Sequence, residues 1–162
     1  MASAFRFCPR CAQPLELRER DGAERLLCSA DCGFVHWDNP LPVVAAIVEH
    51  EGGVILARNK AWPEKMFGLV TGFLEKGETP ERGVAREVRE ELGLDASATH
   101  LVGLYPFDRT NELIIAYHVP ATGTVVLNEE LVDYRRIAPE RVKPWNFGTG
   151  LALADWLQRR QA

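Results

Sequence analysis

A chain of 162 residues, 46% hydrophobic and 26% charged, suits one globular domain with a small attached module. It has no apolar run of the roughly 18 to 20 residues that a bilayer span requires, and Met1 to Phe7 lacks the charged-then-apolar pattern of a secretory leader, so the expected compartment is the cytoplasm and no membrane is expected. The formal net charge of -4 argues against a broad nucleic-acid surface, though not against a phosphate-bearing small molecule, because a bound divalent cation can invert the local field.

The chain opens on its four cysteines. Cys8-Pro-Arg-Cys11 and Cys28-Ser-Ala-Asp-Cys32-Gly33 form two close pairs. Two such pairs have the layout of a zinc ribbon, in which four thiolates hold Zn²⁺ tetrahedrally. Two disulfides or four free thiols are the alternatives, and His36 is a competing ligand. Residues 5–36 show little apolar periodicity and could bury no core without such a staple. With four protein ligands the site would be closed, hence structural. Residues 36–42 then form a connector stiffened by Pro40 and Pro42. The expected organisation is a ribbon over residues 1–36 and a second domain over residues 37–162.

Strands are expected at residues 43–49 (VVAAIVE) and 54–58 (VILAR), joined by a turn at Gly52-Gly53. A loop follows over residues 59–67, then a third strand over residues 68–74, interrupted by Gly72. Thr79 as N-cap and Pro80 at the first helical position predict a helix running to Leu92, with Val84, Val88 and Leu92 on one face and Gly93 as the C-cap. Further strands are expected at residues 101–106, 112–119 and 124–127, a short turn at 139–142, and an amphipathic helix over residues 150–160 with Thr149 as cap. The order predicts a mixed α/β (α+β) sandwich.

On the first helix, Glu87, Glu90 and Glu91 stand at i, i+3 and i+4 and share one face. Three like charges there repel, and a hard divalent cation resolves the repulsion. A solvated acidic face would look the same from these residues alone. The wider segment decides between them. Gly72, five residues, Glu78, seven residues, and then Arg86-Glu87-Val88-Arg89-Glu90-Glu91-Leu92-Gly93-Leu94 match G-x5-E-x7-R-E-U-x-E-E-x-G-U, with U aliphatic, at every specified position. The segment resembles the box of the Nudix hydrolase family.

That resemblance implies an α/β/α sandwich with a mixed sheet and a catalytic Mg²⁺ or Mn²⁺. It implies that Glu87 is a metal ligand or general base, that Glu90 and Glu91 are the metal-binding pair, that Arg86 orients a neighbouring glutamate, that Glu78 holds the loop, and that the Gly72 carbonyl joins the metal shell. The reaction implied is hydrolysis of a pyrophosphate in a nucleoside diphosphate linked to another moiety. Glu112, Glu129, Glu130 and Asp133 are candidates for a downstream acidic residue. Among them Glu130 and Asp133 most resemble the family's downstream pair.

A four-cysteine ribbon ahead of a Nudix domain resembles the NADH pyrophosphatase branch, whose substrates are dinucleotides such as NADH, ADP-ribose or FAD. That branch carries a Ser-Gln-Pro-Trp-Pro-Phe-Pro signature after the box. Here Val142-Lys143-Pro144-Trp145-Asn146-Phe147-Gly148 only echoes it, far downstream, and is not taken as the same element. For substrate contacts Trp62 and Phe67 lead the aromatic candidates, ahead of Phe73, Tyr105, Phe107, Tyr117 and Trp145. Arg58, Lys60, Lys65, Arg109 and Lys143 are candidate phosphate contacts, Arg58 and Glu130 join Trp62 and Phe67 as the expected substrate contacts, and His100 and His118 are read as structural. The alternatives to a small-molecule hydrolase are a nucleotide sensor and an RNA-associated protein, including one that removes nucleotide caps. A homodimer is common among family members.

Overall fold

The structure is a computed structural model that describes residues 5–161. It divides into two compact units, Met1–Asn39 and Pro40–Ala162.

The first unit holds β1 (Leu15–Arg20), β2 (Ala23–Cys28) and β3 (Val35–His36), paired antiparallel in that order. Asp21 and Gly22, at φ 54° and 77°, supply the two left-handed residues of a tight hairpin turn between β1 and β2. The sequence did not announce this sheet, and the reason is physical. A thin ribbon leaves its strands largely open to solvent, so no buried face imposes alternation. Leu17 is 59% exposed, whereas Cys8 and Cys28 are 2% and 1% exposed. The centre of the unit is sulfur rather than hydrocarbon.

The second unit contains β4 (Leu41–His50), β5 (Gly53–Asn59), β6 (Val70–Phe73), α1 (Pro80–Leu92), β7 (Asp95–Ala96), β8 (His100–Phe107), β9 (Glu112–Thr122), β10 (Leu131–Ile137) and α2 (Thr149–Gln161). Its seven strands form one mixed sheet in the order β10-β5-β4-β9-β7, with β6 also paired to β4 and β8 to β9. β4 is central. It runs parallel to β9 on one side; on the other it is antiparallel to β5 near its end and to β6 near its start. A strand covered on both faces reads as a continuous apolar run, which explains VVAAIV.

The two faces carry separate cores. Val44, Ala46 and Val48 of β4 meet Val84, Val88 and Leu92 of α1. Ala45 and Ile47 point the other way, toward Ala152, Leu153 and Trp156 of α2. The result is an α/β/α sandwich. Tyr117 ties β9 to the first turn of α1 by donating its hydroxyl to Glu81 at 3.0 Å, and Tyr105 ties β8 to α2 through Asp155 at 2.7 Å. His118 accepts a structural position, 2.8 Å from Glu49 and stacked near His100.

Two expected elements differ. Residues 124–127 are not a strand. The Val126 amide donates to the Leu92 carbonyl at 2.8 Å and the Asn128 amide to Glu91 at 3.2 Å, so this segment satisfies the orphan carbonyls at the end of α1 instead of joining the sheet. The last strand is β10, which lies at the sheet edge with Asp133, Arg135 and Arg136 exposed; edge strands carry charge, and that hid it from a search for apolar alternation. The turn between β4 and β5 is Glu51-Gly52, both left-handed, one residue earlier than expected.

Helix α1 is fixed at both ends. Thr79 Oγ1 accepts from the Arg82 amide at 3.4 Å, and Gly93 closes the helix at φ 67° with its amide on the Arg89 carbonyl. Leu92→Ala should therefore cost about 2–5 kcal/mol and Thr79→Ala about 1 kcal/mol. Urea unfolding measures both, with equal slopes expected; a loss for Leu92→Ala below that for Thr79→Ala would refute the packing account.

Candidate active site

β6 and α1 lie against each other, and their closest meeting is a side chain with a bare backbone. Gly72 pairs with Val44 of β4, and a Cβ built on Gly72 would collide with the Glu87 carboxyl. Only glycine leaves room for that carboxyl beside the strand.

Arg86 occupies the centre of the cluster. Its Nε and Nη2 donate to the two oxygens of Glu78 at 3.0 and 3.1 Å, and Nη1 reaches Glu87 at 2.7 Å and Glu90 at 3.0 Å. Nη2 also donates to the Phe73 carbonyl at 3.2 Å, fastening the helix to the end of β6. The fork of a guanidinium suits this two-point grip on Glu78. The hydrogen bonds from Arg86 hold the Glu78 carboxyl below its usual range. Burial pushes Glu87 up despite Arg86.

Glu91 stands apart. Its carboxylate has no hydrogen bond or ion pair among the described residues, and it sits half-buried in the fields of Glu87, Glu130 and Glu90. Burial first, then these charges, push it up to about 8. Glu130 reaches this neighbourhood because Asn128 Oδ1 accepts from the Glu130 and Leu131 amides at 3.0 and 3.2 Å, a local turn that brings the chain past the end of α1. Asp133 lies elsewhere, opposite Arg58 across β5 and β10. Arg58 Nε is buried without a hydrogen bond. The glutamates are not already gathered on one point: among the described residues, the only metal-holding group of three or more ligand atoms within mutual reach is the cysteine cluster.

A cavity of about 530 Å³ opens on the other face of the sheet. Trp62, Phe67, Phe107, Trp145 and Phe147 supply its aromatic lining, with Lys65, Arg109 and Glu112 as its charged groups. Trp62 packs closely on the backbone at Gly68, where a Cβ would stand 3.0 Å from the indole. Phe67 carries the Arg135 guanidinium 4.1 Å from its ring centre. The cavity reaches Thr71, whose neighbour in β6 is Gly72.

The leading aromatic candidates, Trp62 and Phe67, thus share one pocket, together with Phe107 and Trp145. Phe73, Tyr105 and Tyr117 do not line it. Arg58 and Glu130, expected as substrate contacts, are not part of this lining, and Glu112 faces the pocket rather than the glutamates. Phe147, Thr71 and Thr149 were not among the substrate-contact candidates read from sequence. Strand alternation beside Gly72 was the available signal for Thr71; Phe147, in the loop before α2, and Thr149, at the start of α2, are brought over only by the fold.

In the first unit the four Sγ atoms of Cys8, Cys11, Cys28 and Cys32 all lie within 4.8 Å of one another, with Cys8–Cys32 at 3.5 Å and Cys11–Cys28 at 3.3 Å. A tetrahedron with metal–sulfur bonds of about 2.3 Å has edges of about 3.8 Å, close to this spacing. The Cys32 backbone amide is the largest influence drawing the Cys28 thiol down to about 6. No disulfide is present among these cysteines.

A NUDIX domain model matches residues 39–156, and the Nudix N-terminal zinc-ribbon model matches residues 6–38. The chain is 32% identical to the NAD-capped RNA hydrolase NudC of Vibrio atlanticus over 123 residues, covering 76% of this chain and 45% of that protein. It is 33% identical to human NAD-capped RNA hydrolase NUDT12 over 150 residues, covering 86% and 32%. It therefore spans about half or less of these relatives. A NUDIX hydrolase crystal structure from Nitrosomonas europaea superposes with TM-score 0.81 at 24% identity, covering 97% of this chain and 93% of that one, which shows the fold. A complete box on a strand–loop–helix, a fold of this kind and a family match over most of its length establish that this chain belongs to the Nudix family.

Proposed function

We propose that the protein is a divalent-cation-dependent pyrophosphohydrolase acting on a nucleoside diphosphate linked to another moiety, a dinucleotide such as NADH, ADP-ribose or FAD. One observation carries the reading: an unpaired, half-buried Glu91 stands among Glu87, Glu90 and Glu130 on the helix whose Glu87 meets Gly72, the β6 neighbour of pocket-lining Thr71. Thr71 and Gly72 face opposite sides of β6, but β6 pairs only with β4 among the named strands, so one ligand would join a ring beside Thr71 to a pyrophosphate beside Gly72 by passing its outer edge.

The donor set fits Mg²⁺ or Mn²⁺, which take carboxylate oxygens. Glu87, Glu90 and Glu91 would hold the cation, with the Gly72 carbonyl beside them; the bound cation supplies Lewis-acid polarisation of the pyrophosphate and a more acidic water. Arg86 keeps Glu87 and Glu90 turned toward each other, and its grip on Glu78 closes the preceding loop. Trp62 and Phe67 would stack on the ring, and Lys65 and Arg109 would meet phosphate. The cysteines would hold a structural Zn²⁺ in a ribbon over residues 1–36, beside a hydrolase domain over 37–162. A reducing cytoplasm suits such thiolates.

The names of the relatives favour a second substrate of the same chemistry: a dinucleotide cap at the end of an RNA. The expectation against nucleic acid, drawn from net charge, loses its force beside them.

Three measurements test the proposal. A panel of NADH, FAD, ADP-ribose, nucleotide sugars, nucleoside triphosphates and capped RNA, each with Mg²⁺ or Mn²⁺, should show cation-dependent release of mononucleotides from at least one dinucleotide. Glu91→Gln should lower that turnover about a hundredfold or more; full turnover by a folded variant sinks the assignment. Gly72→Ala should lower kcat/KM at least about tenfold with unchanged circular dichroism, because the new methyl displaces Glu87.

The Glu91 carboxyl also sets a pH dependence. Its folded value, about 8, lies above the ordinary 4.5, so its contribution to stability is fully present below about 4.5 and is lost as pH rises through about 8. In chelator, wild-type Tm should fall across that window more steeply than that of Glu91→Gln, and added Mg²⁺ should reverse the fall. Equal slopes would exclude this account. Elemental analysis should find one zinc per chain, reduced in Cys11→Ser.

A further inference from the structure

We propose that Glu112 selects which ring enters the pocket, by accepting a hydrogen bond from an NH₂ group on that ring, either the exocyclic amine of a nucleobase or the carboxamide of a nicotinamide. The inference rests on the pocket being the ring site of the proposed substrate, and it adds the residue that discriminates.

Glu112 opens β9, opposite Phe107 of β8 and Leu41 of β4. Strand alternation places it on the same face as Ile114 and Ala116, which belong to the core beneath α2. It lines the cavity there, half-buried. Among the described residues its carboxylate has no hydrogen bond and no ion pair, although Lys65 and Arg109 line the same space. A carboxylate left without partners in a partly desolvated, aromatic-walled pocket carries a desolvation cost that a ligand donor would remove.

The other lining groups discriminate poorly. Every nucleobase offers a π-face, so Trp62 and Phe107 would stack on any of them. The hydroxyls of Thr71 and Thr110 rotate and can either donate or accept. An ionised carboxylate only accepts. It is satisfied by an NH₂ and repels a ring edge that presents an oxygen. Sites that hold an unpaired polar group reject analogues lacking its partner far more strongly than apolar walls do.

The test uses the full chain in chelator and reads tryptophan fluorescence, since Trp62 and Trp145 both line the pocket. AMP is compared with purine riboside 5′-monophosphate, which lacks only the amine, and nicotinamide mononucleotide with nicotinic acid mononucleotide. The wild type should bind the amine-bearing member of at least one pair about tenfold more tightly. Glu112→Gln and Glu112→Ala should bring that preference to within about twofold, with unchanged circular dichroism. The pair that responds identifies which half of a dinucleotide is read. Equal binding of both pairs by the wild type, or a preference retained in both variants, overturns the proposal. If Trp62→Ala abolishes binding of all four while the Glu112 variants keep the wild-type preference, the pocket stands and the role of Glu112 falls. No binding of any of them to the wild type overturns both. Binding needs no turnover, so absence of hydrolysis bears on the reaction alone.

Discussion

A carboxyl group held against a strand with nothing in its way is the contact on which the rest of the site depends. Glu87 approaches β6 at Gly72, and the approach is possible only while α1 stays at one height and one rotation above the sheet. Val84, Val88 and Leu92, all fully buried, set the rotation. Thr79 and Gly93 set the two ends. Arg86 then uses the fixed helix as a platform, reaching Glu78 in the preceding loop and the carbonyl of Phe73 in the strand. The apolar face of the helix is thus the foundation of its polar face. Without it the glutamates would be free to separate, since nothing in their own charge holds them together.

The sheet divides the work between its faces. On one side β6 presents Gly72 to the glutamates; on the other, Thr71 borders the aromatic cavity. A period of two in a strand puts adjacent residues on opposite faces while keeping them a few ångströms apart. A ligand with a flat apolar ring and a charged linker can, on the proposed reading, satisfy both environments at once. Arg86 has a second consequence in the absence of a cation: its single Nη1 offsets Glu87 and Glu90, leaving Glu91 without a cationic partner, so that its carboxyl favours the protonated form.

How much of this was legible in sequence depended on how local each signal was. α1 was readable almost to the residue, because Thr79-Pro80 at the start, a four-residue apolar repeat and Gly93 at the end are all short-range features. The glutamates were readable because a helix converts spacing into a shared face. β10 was not readable, since an edge strand exposes both its charges and its alternation to solvent. Residues 124–127 were misread because their apolar pattern serves the end of α1 rather than a ladder. The pocket was half readable: Trp62 and Phe67 sit in the loop before β6, but Phe147 and Glu112 join them only through the fold. Glu112, weighed as a metal ligand from its charge, lies on the face away from the glutamates.

Net charge is a weak guide to ligands for a related reason. It averages over the molecule, whereas ligands respond to fields within about a Debye length, roughly 8 to 10 Å. Half of the value of -4 comes from residues 78–91, where Glu78, Glu81, Glu87, Glu90 and Glu91 outnumber Arg82, Arg86 and Arg89 by two. The pocket face carries Lys65 and Arg109, with Arg135 over Phe67 beside them, against the one carboxylate of Glu112. A phosphodiester chain leaving the pocket on that face would meet a locally basic rim, while the divalent cation expected at the glutamates would reverse the sign of the acidic side. The same asymmetry that favours a cation at one face favours an anionic ligand at the other, and a single integer for the whole chain conceals both.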